Sequence, residues 1–189
     1  ITDITELNNA RQAVEQAAHR DRLTGLLSRE GFAWKLDELR SKGNLHPASL
    51  IVSIDIASLR EINNTQGYAI GDQVLQETAR RLAVQVGEAN LIARPGGGEF
   101  IVLAAVDRRN TPARWRRRLE AVFNAPFEAG SFALFIGAAF GYVRLGATAR
   151  DVRALMNDAE LALRQSQQNL SITWTQYTRI LERRTRATV

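Results

Sequence analysis

Residues 90–106, NLIARPGGGEFIVLAAV, decide how this chain folds. Two apolar runs, 90–94 and 99–106, flank Gly96-Gly97-Gly98. Glycine adopts the positive φ values of a tight turn without a Cβ penalty, so the stretch predicts two strands joined as a hairpin. A tight hairpin requires antiparallel partners. That argues against a doubly wound parallel sheet and for a mixed or antiparallel sheet with helices packed on it.

Working upstream, ASLIVSIDI at 48–56 is a continuous apolar run and reads as a buried strand. Helix 29–41 follows Ser28, an N-cap candidate, and places Phe32, Leu36 and Leu39 on one face before Gly43 to Pro47 break it. A short helix at 58–65 ends near Gly67. A longer helix, about 71–86, aligns Leu75, Ala79, Leu82 and Val86. Downstream, Thr111 and Pro112 open a helix to about 124. Residues 131–144 read as one long strand with a bend at Gly137. Helix 149–168 carries Val152, Leu155, Met156, Ala159 and Leu163, and strand 171–176 alternates Ile172 with Trp174. A basic helix at 177–186 leaves the domain. Residues 1–20 are expected to be a lead-in helix, with Leu7, Ala10, Val14 and Ala17 at heptad spacing.

The chain has 189 residues, 45% hydrophobic and 24% charged, which suffices for one packed domain with short appendages. Its start at Ile1, without methionine, leads us to expect a piece of something longer. No run approaches the roughly 18 apolar residues of a membrane span, so no membrane contact is expected of this segment. Cysteine is absent, which excludes disulfides and thiolate metal sites and fits the cytoplasm. The net charge of +5 comes mostly from arginines at 108–109, 114–118 and 179–186. Aromatic residues are not interleaved as a stacking platform would need, so these read as solvated faces and nucleic acid is not an expected partner.

Three features carry chemistry. Asp55 ends a hydrophobic strand, where rigid backbone suits a metal ligand or, more plainly, a turn aspartate. Asn63 and Asp72 flank the Gly67 turn; they offer an amide and a carboxylate to a purine edge, or serve as helix caps. The 96–98 glycines admit close approach of a ligand to the backbone, and Glu99 follows them.

Taken together, Asp55-Ile56-Ala57-Ser58-Leu59-Arg60, Asn63, Gly67, Gly71-Asp72 and Arg94-Pro95-Gly96-Gly97-Gly98-Glu99-Phe100 resemble the GGDEF family. Asp21-Arg22-Leu23-Thr24-Gly25-Leu26-Leu27-Ser28-Arg29 resembles its opening motif, and Asn157 to Leu163 its A-D-x-A-L helix. The resemblance covers roughly 21–176. It implies an α+β nucleotidyl-cyclase palm, ferredoxin-like, with a mostly antiparallel sheet of about five strands and a signature hairpin. Active members condense two GTP molecules into cyclic di-GMP across a dimer, with metal ions activating the 3′-hydroxyl. The implied nucleotide contacts are Asn63, Asp72, Gly96, Gly97, Ser58, Leu59 and Arg60. The implied acids are Asp55 and Glu99.

Departures from the family pattern concentrate on catalysis. Gly98 stands where the metal-binding acid belongs, and Ala57 replaces the second aspartate of D-x-D. Leu59-Arg60 replaces the usual F-K pair. Gln167 and Ser171 stand at the phosphate-binding lysine and arginine positions, and Gly87-Glu88-Ala89-Asn90 lacks the product-inhibition motif, so no such site is expected. The N-D and G-H pairs read Asn63-Asn64 and Gly67-Tyr68. The reading is a catalytically degenerate regulatory module, with Asp55 a weakened metal ligand, that docks GTP with little or no Mg²⁺. The rivals are a slow cyclase using Asp55 and Glu99, and a dimerisation spacer without ligand. The ends resemble a PAS exit and a connector toward an EAL domain, giving a lead-in at 1–20, the GGDEF domain at 21–176 and an exit helix at 177–189. Homodimerisation is an expected property.

Overall fold

A computed structural model describes residues 19–87, 91–146, 150–168 and 174–177. The lead-in up to residue 18, the 88–90 part of the product-inhibition stretch, Ser171 and the exit helix beyond Tyr177 lie outside the described residues.

Strand β1 (Leu50–Ile56) is the centre of the sheet and is buried along nearly its whole length. It pairs antiparallel with β3 (Glu99–Ala104) on one side and with β6 (Ala138–Arg144) on the other. Strand β2 (Ile92–Gly96) completes the hairpin with β3. Strand β7 (Trp174–Gln176) lies parallel to β6, so the order is β2-β3-β1-β6-β7 and the sheet is mixed, with one parallel pairing.

The two-residue period of β1 divides the core. Leu50, Val52, Ile54 and Ile56 face α3 (Tyr68–Val86), α4 (Pro112–Ala121) and Phe127. Ile51 faces the opposite way with Phe32 and Leu36 of α1 (Arg29–Ser41) and with Leu155, Met156 and Ala159 of α5 (Val152–Gln167). Asp55 has the parity of Ile51 and therefore emerges on the α1/α5 side. Helix α5 comes very close to the sheet. A Cβ on Gly141 of β6 would fall 2.0 Å from the Leu163 nitrogen, so only glycine allows this approach.

The sequence-predicted caps at the helix starts are present. Ser28 accepts from the Gly31 N–H at 3.1 Å and Thr111 from the Arg114 N–H at 3.3 Å. Three expectations need correction. The 131–144 stretch is not one strand. A small hairpin, β4 (Phe127–Ala129) with β5 (Phe132–Leu134), precedes β6. It turns at Gly130, whose φ is +60°, while Gly137 lies in the loop leading to β6. A continuous apolar run reports burial, not how many strands share it. Helix α3 starts at Tyr68 rather than 71, separated from α2 (Leu59–Gln66) by Gly67 alone, with φ +90°. Asn63 and Asp72 consequently lie inside helices and cap neither of them.

Candidate functional site: a cavity beside the hairpin

The β1–α2 corner, the α2–α3 corner and the hairpin turn enclose a cavity of about 530 Å³. Strand β1 contributes Asp55 and Ile56, the following turn contributes Ser58, and the first residues of α2 contribute Leu59 and Arg60. Helices α2 and α3 add Asn63, Asn64 and Tyr68, and the turn closes it with Gly97 and Gly98. Ser58 has φ +61°, the one positive-φ residue other than glycine among the described residues. Such strain persists only where the surroundings impose it, and it clusters at ligand sites.

Asp55 is half-buried, and burial pushes its carboxyl above the usual carboxylate range, opposed by a hydrogen bond from Gln167. The Gln167 Nε2 donates to Asp55 Oδ2 at 2.8 Å. The amide thus stands where the resemblance implies a lysine, and it contributes no charge. Gly98 has an ordinary negative-region backbone, and an ideal Cβ there would sit 3.3 Å from Asp55 Oδ1 and 3.2 Å from Leu59 Cδ2. Any side chain at this position would therefore begin between Asp55 and Leu59.

Glu99 is the register partner of Asp55 across the β1–β3 pairing. Partial burial raises its carboxyl first, then the charges of Glu160 and Asp55, with Arg29 and Arg164 opposing. Its neighbours place it toward α1 and α5, and it is not on the cavity wall. Arg29 is ion-paired with Glu160 and donates to Asn157 Oδ1 at 2.8 Å.

The expected residues are therefore only partly brought together. Asp55, Ser58, Leu59, Arg60, Asn63, Gly97 and Gly98 line one cavity. Gly96, Glu99 and Asp72 do not; Asp72 is exposed on α3. Asn63 is packed so tightly that its Oδ1 lies 1.8 Å from where a Cβ of Gly71 would be, and this buried oxygen has no hydrogen-bond partner. Gly71 is thus required by the α2–α3 contact. Tyr68 and Asn64, which sequence reasoning noted only as departures, are wall residues, and Tyr68 is 75% exposed.

Sequence reasoning also missed how the turn is held. Arg94 donates from Nε and Nη2 to the Gly97 carbonyl at 3.1 and 2.8 Å, and from Nη1 to Asp21 Oδ1 at 3.0 Å. Asp21 Oδ2 accepts from the Thr24 N–H and hydroxyl at 2.9 and 2.6 Å. Burial works against the Asp21 carboxylate, but the bonds from Thr24 and the Arg94 guanidinium hold its pKa below the ordinary value. The opening motif is thus a clasp on the hairpin. An aspartate three residues before a threonine is the local signal that indicates it.

The residues present do not fit a pair of divalent cations. Magnesium takes oxygen ligands in near-octahedral geometry, usually from one or two carboxylates together with phosphates. Asp55 is the one carboxylate on the cavity wall, one of its oxygens is engaged by Gln167, and Gly98 supplies no side-chain oxygen. Among the described residues no group of three or more His, Cys, Asp or Glu side chains could hold a metal ion.

A five-stranded palm with helices on both faces and a glycine hairpin beside a strand-end aspartate defines a nucleotidyl-cyclase-like domain. The chain belongs to the GGDEF domain family: the family's sequence pattern, described as diguanylate cyclase, GGDEF domain, matches residues 18–171. An uncharacterised signalling protein of Caulobacter vibrioides is 31% identical over 172 residues, 89% of this chain and 21% of that protein. The cyclic di-GMP phosphodiesterase PdeR of Escherichia coli is 25% identical over 162 residues, 86% of this chain and 24% of that protein. The solved GGDEF domain of TpbB from Pseudomonas aeruginosa superimposes with a TM-score of 0.79 at 28% identity, covering 89% of this chain and 99% of that one. The chain thus spans about a fifth to a quarter of the length of these two curated relatives. No helix among the described residues is long and apolar enough to cross a membrane.

Proposed function

We propose that this chain is a silenced GGDEF module of a cyclic di-GMP signalling protein. It takes up a guanine nucleotide such as GTP and relays a signal to neighbouring domains instead of making cyclic di-GMP. The observation that carries this reading is the pairing of Asp55 with Gln167 opposite a bare Gly98. Transition-state charge on a transferring phosphoryl group needs metal or cationic clamps already in place. Here an amide stands at the cation position and the second acid is missing. Loss of one such stabiliser typically costs about 10²-fold or more in rate, and at least two are absent. Asp55 and Glu99 are then vestiges of an acid pair, opposed in the β1–β3 register, with Glu99 outside the cavity lining.

The nucleotide side is better provided. Asn63 lines the cavity, Ser58 and Leu59 line it at the start of α2, and Gly97 leaves the hairpin backbone open to a ligand. Asp72 lies outside the cavity lining, exposed one turn after Tyr68 on α3. A ligand that binds one arrangement of the neighbouring domains more tightly than another biases the output by that difference in affinity. A PAS sensor before this segment, an EAL domain after it, and a homodimer are the architecture in which such a relay operates. The similarity to a protein named for phosphodiesterase activity supports a context in which the chemistry lies outside the GGDEF domain.

The test is incubation of the purified chain with GTP and Mg²⁺ or Mn²⁺, with cyclic di-GMP quantified by chromatography, beside calorimetric titration of GTP. Binding without product is the expected result. Product above a protein-free blank would identify a slow cyclase. Absence of any binding would leave a spacer.

A further inference from the structure

The cavity wall is unevenly furnished. The α2–α3 corner brings two amides, Asn63 and Asn64, and the exposed ring of Tyr68. Amides offer both donors and acceptors to a base edge, and an exposed ring offers a stacking face that any base can use. The strand side brings the opposite of a phosphate site. Asp55 is there without a cationic partner, its hydrogen bond coming from neutral Gln167. Glu99 stands across from it in register but off the cavity wall, and there the charge of Glu160 is opposed by Arg29 and Arg164, so these groups bring no free cation to the cavity. Among the described residues lining the cavity, Arg60 is the single cation, and it is exposed.

A guanidinium matches one phosphate group with paired hydrogen bonds. Each further phosphate adds negative charge that nothing on this wall neutralises and that the Asp55 side repels. Resting on the reading above that the cavity takes a guanine nucleotide, the geometry points to a monophosphate, GMP, as its preferred occupant, with affinity falling as phosphates are added. That order is the reverse of what a site built to hold a metal–triphosphate complex requires. The module would then respond to the pool of nucleotide monophosphate, the class of product left by nucleotide hydrolysis.

The experiment is calorimetric titration of the 189-residue chain with guanosine, GMP, GDP and GTP in chelator, without divalent metal. GMP is expected to bind at least about tenfold more tightly than GTP, with GDP between them. Guanosine is expected to be weaker than GMP, and Arg60→Ala brings the two together. Gln167→Lys, which places a cation beside Asp55, moves the order back toward GTP. GTP binding as tightly as GMP, or more tightly, overturns the monophosphate preference while leaving the nucleotide site standing. Failure of all four to bind at millimolar concentration removes the nucleotide site itself.

Discussion

Substituting Gly98→Asp tests the geometry on which the functional reading depends. Backbone conformation permits the change, since Gly98 is not among the positive-φ glycines. An ideal Cβ there approaches Asp55 Oδ1 at 3.3 Å, so the new carboxylate comes within roughly 4 Å of the old one. Two like charges at that separation repel by about 1 kcal/mol in water and about 4 kcal/mol in the dielectric typical near a protein surface. Asp55 is half-buried, which places the cost between these limits, at about 2 kcal/mol. For a domain of this size that corresponds to a fall in Tm of about 4–8 °C. Gly98→Asn is the control, because it carries the same shape and the same loss of glycine entropy without the charge. Thermal unfolding at pH 7 and low salt is the assay. The Asp variant is expected to melt below the Asn variant, the gap to close as the pH falls into the carboxylate range, and millimolar Mn²⁺ to narrow it at pH 7. The sign follows from the repulsion, which requires both groups to be ionised. Coincident melting of the two variants at pH 7 would mean that position 98 does not face Asp55, and the account of the missing metal ligand would fail.

Other expectations concern chemistry and packing. Gly98→Asp by itself is expected to make no cyclic di-GMP from GTP and Mn²⁺, because Gln167 still occupies the cation position; rapid turnover would show that the metal acid alone was limiting. Gly141→Ala should destabilise the fold by about 3 kcal/mol, the upper end of overpacking costs, since the added carbon meets backbone atoms of α5 that cannot rotate away; urea unfolding checks it, and an unchanged midpoint would refute the close approach. Arg81 donates to the Val122, Ala125 and Pro126 carbonyls and lies 4.0 Å from the Phe127 ring centre. Arg81→Ala should therefore cost about 2–3 kcal/mol, and a loss under about 0.5 kcal/mol would show these bonds to be interchangeable with water. Glu77 is held to about 2 by hydrogen bonds from Arg80 and Arg81. Its contribution to stability is present above the ordinary glutamate pKa and is lost as the pH falls toward 2, so wild type and Glu77→Gln should differ at pH 6 and converge near pH 2. A difference that persists at pH 2 would contradict the assignment.

What the sequence determined by itself was local. The 96–98 glycines between two apolar runs specify a hairpin, and Ser28 and Thr111 specify helix starts, because turn and cap preferences reside in a few adjacent residues. The absence of an acid at position 98 is likewise a fact of sequence. Periodicity placed α1 to within a residue but could not divide 127–144 into three strands, since an apolar run reports burial without counting partners. Tertiary structure alone decided where the motif residues stand. Asn63 and Asp72 read equally well as caps or as base contacts until α2 and α3 fixed their ends. Glu99 neighbours Gly98 in the chain and does not line the cavity, yet the β1–β3 register sets it directly opposite Asp55 on the same face of the sheet. The Asp55–Gln167 bond joins residues 112 positions apart, and the Asp21–Arg94 clasp joins residues 73 apart. Contacts at that separation have no local signature, because the register of the sheet and the packing of α5 bring them together.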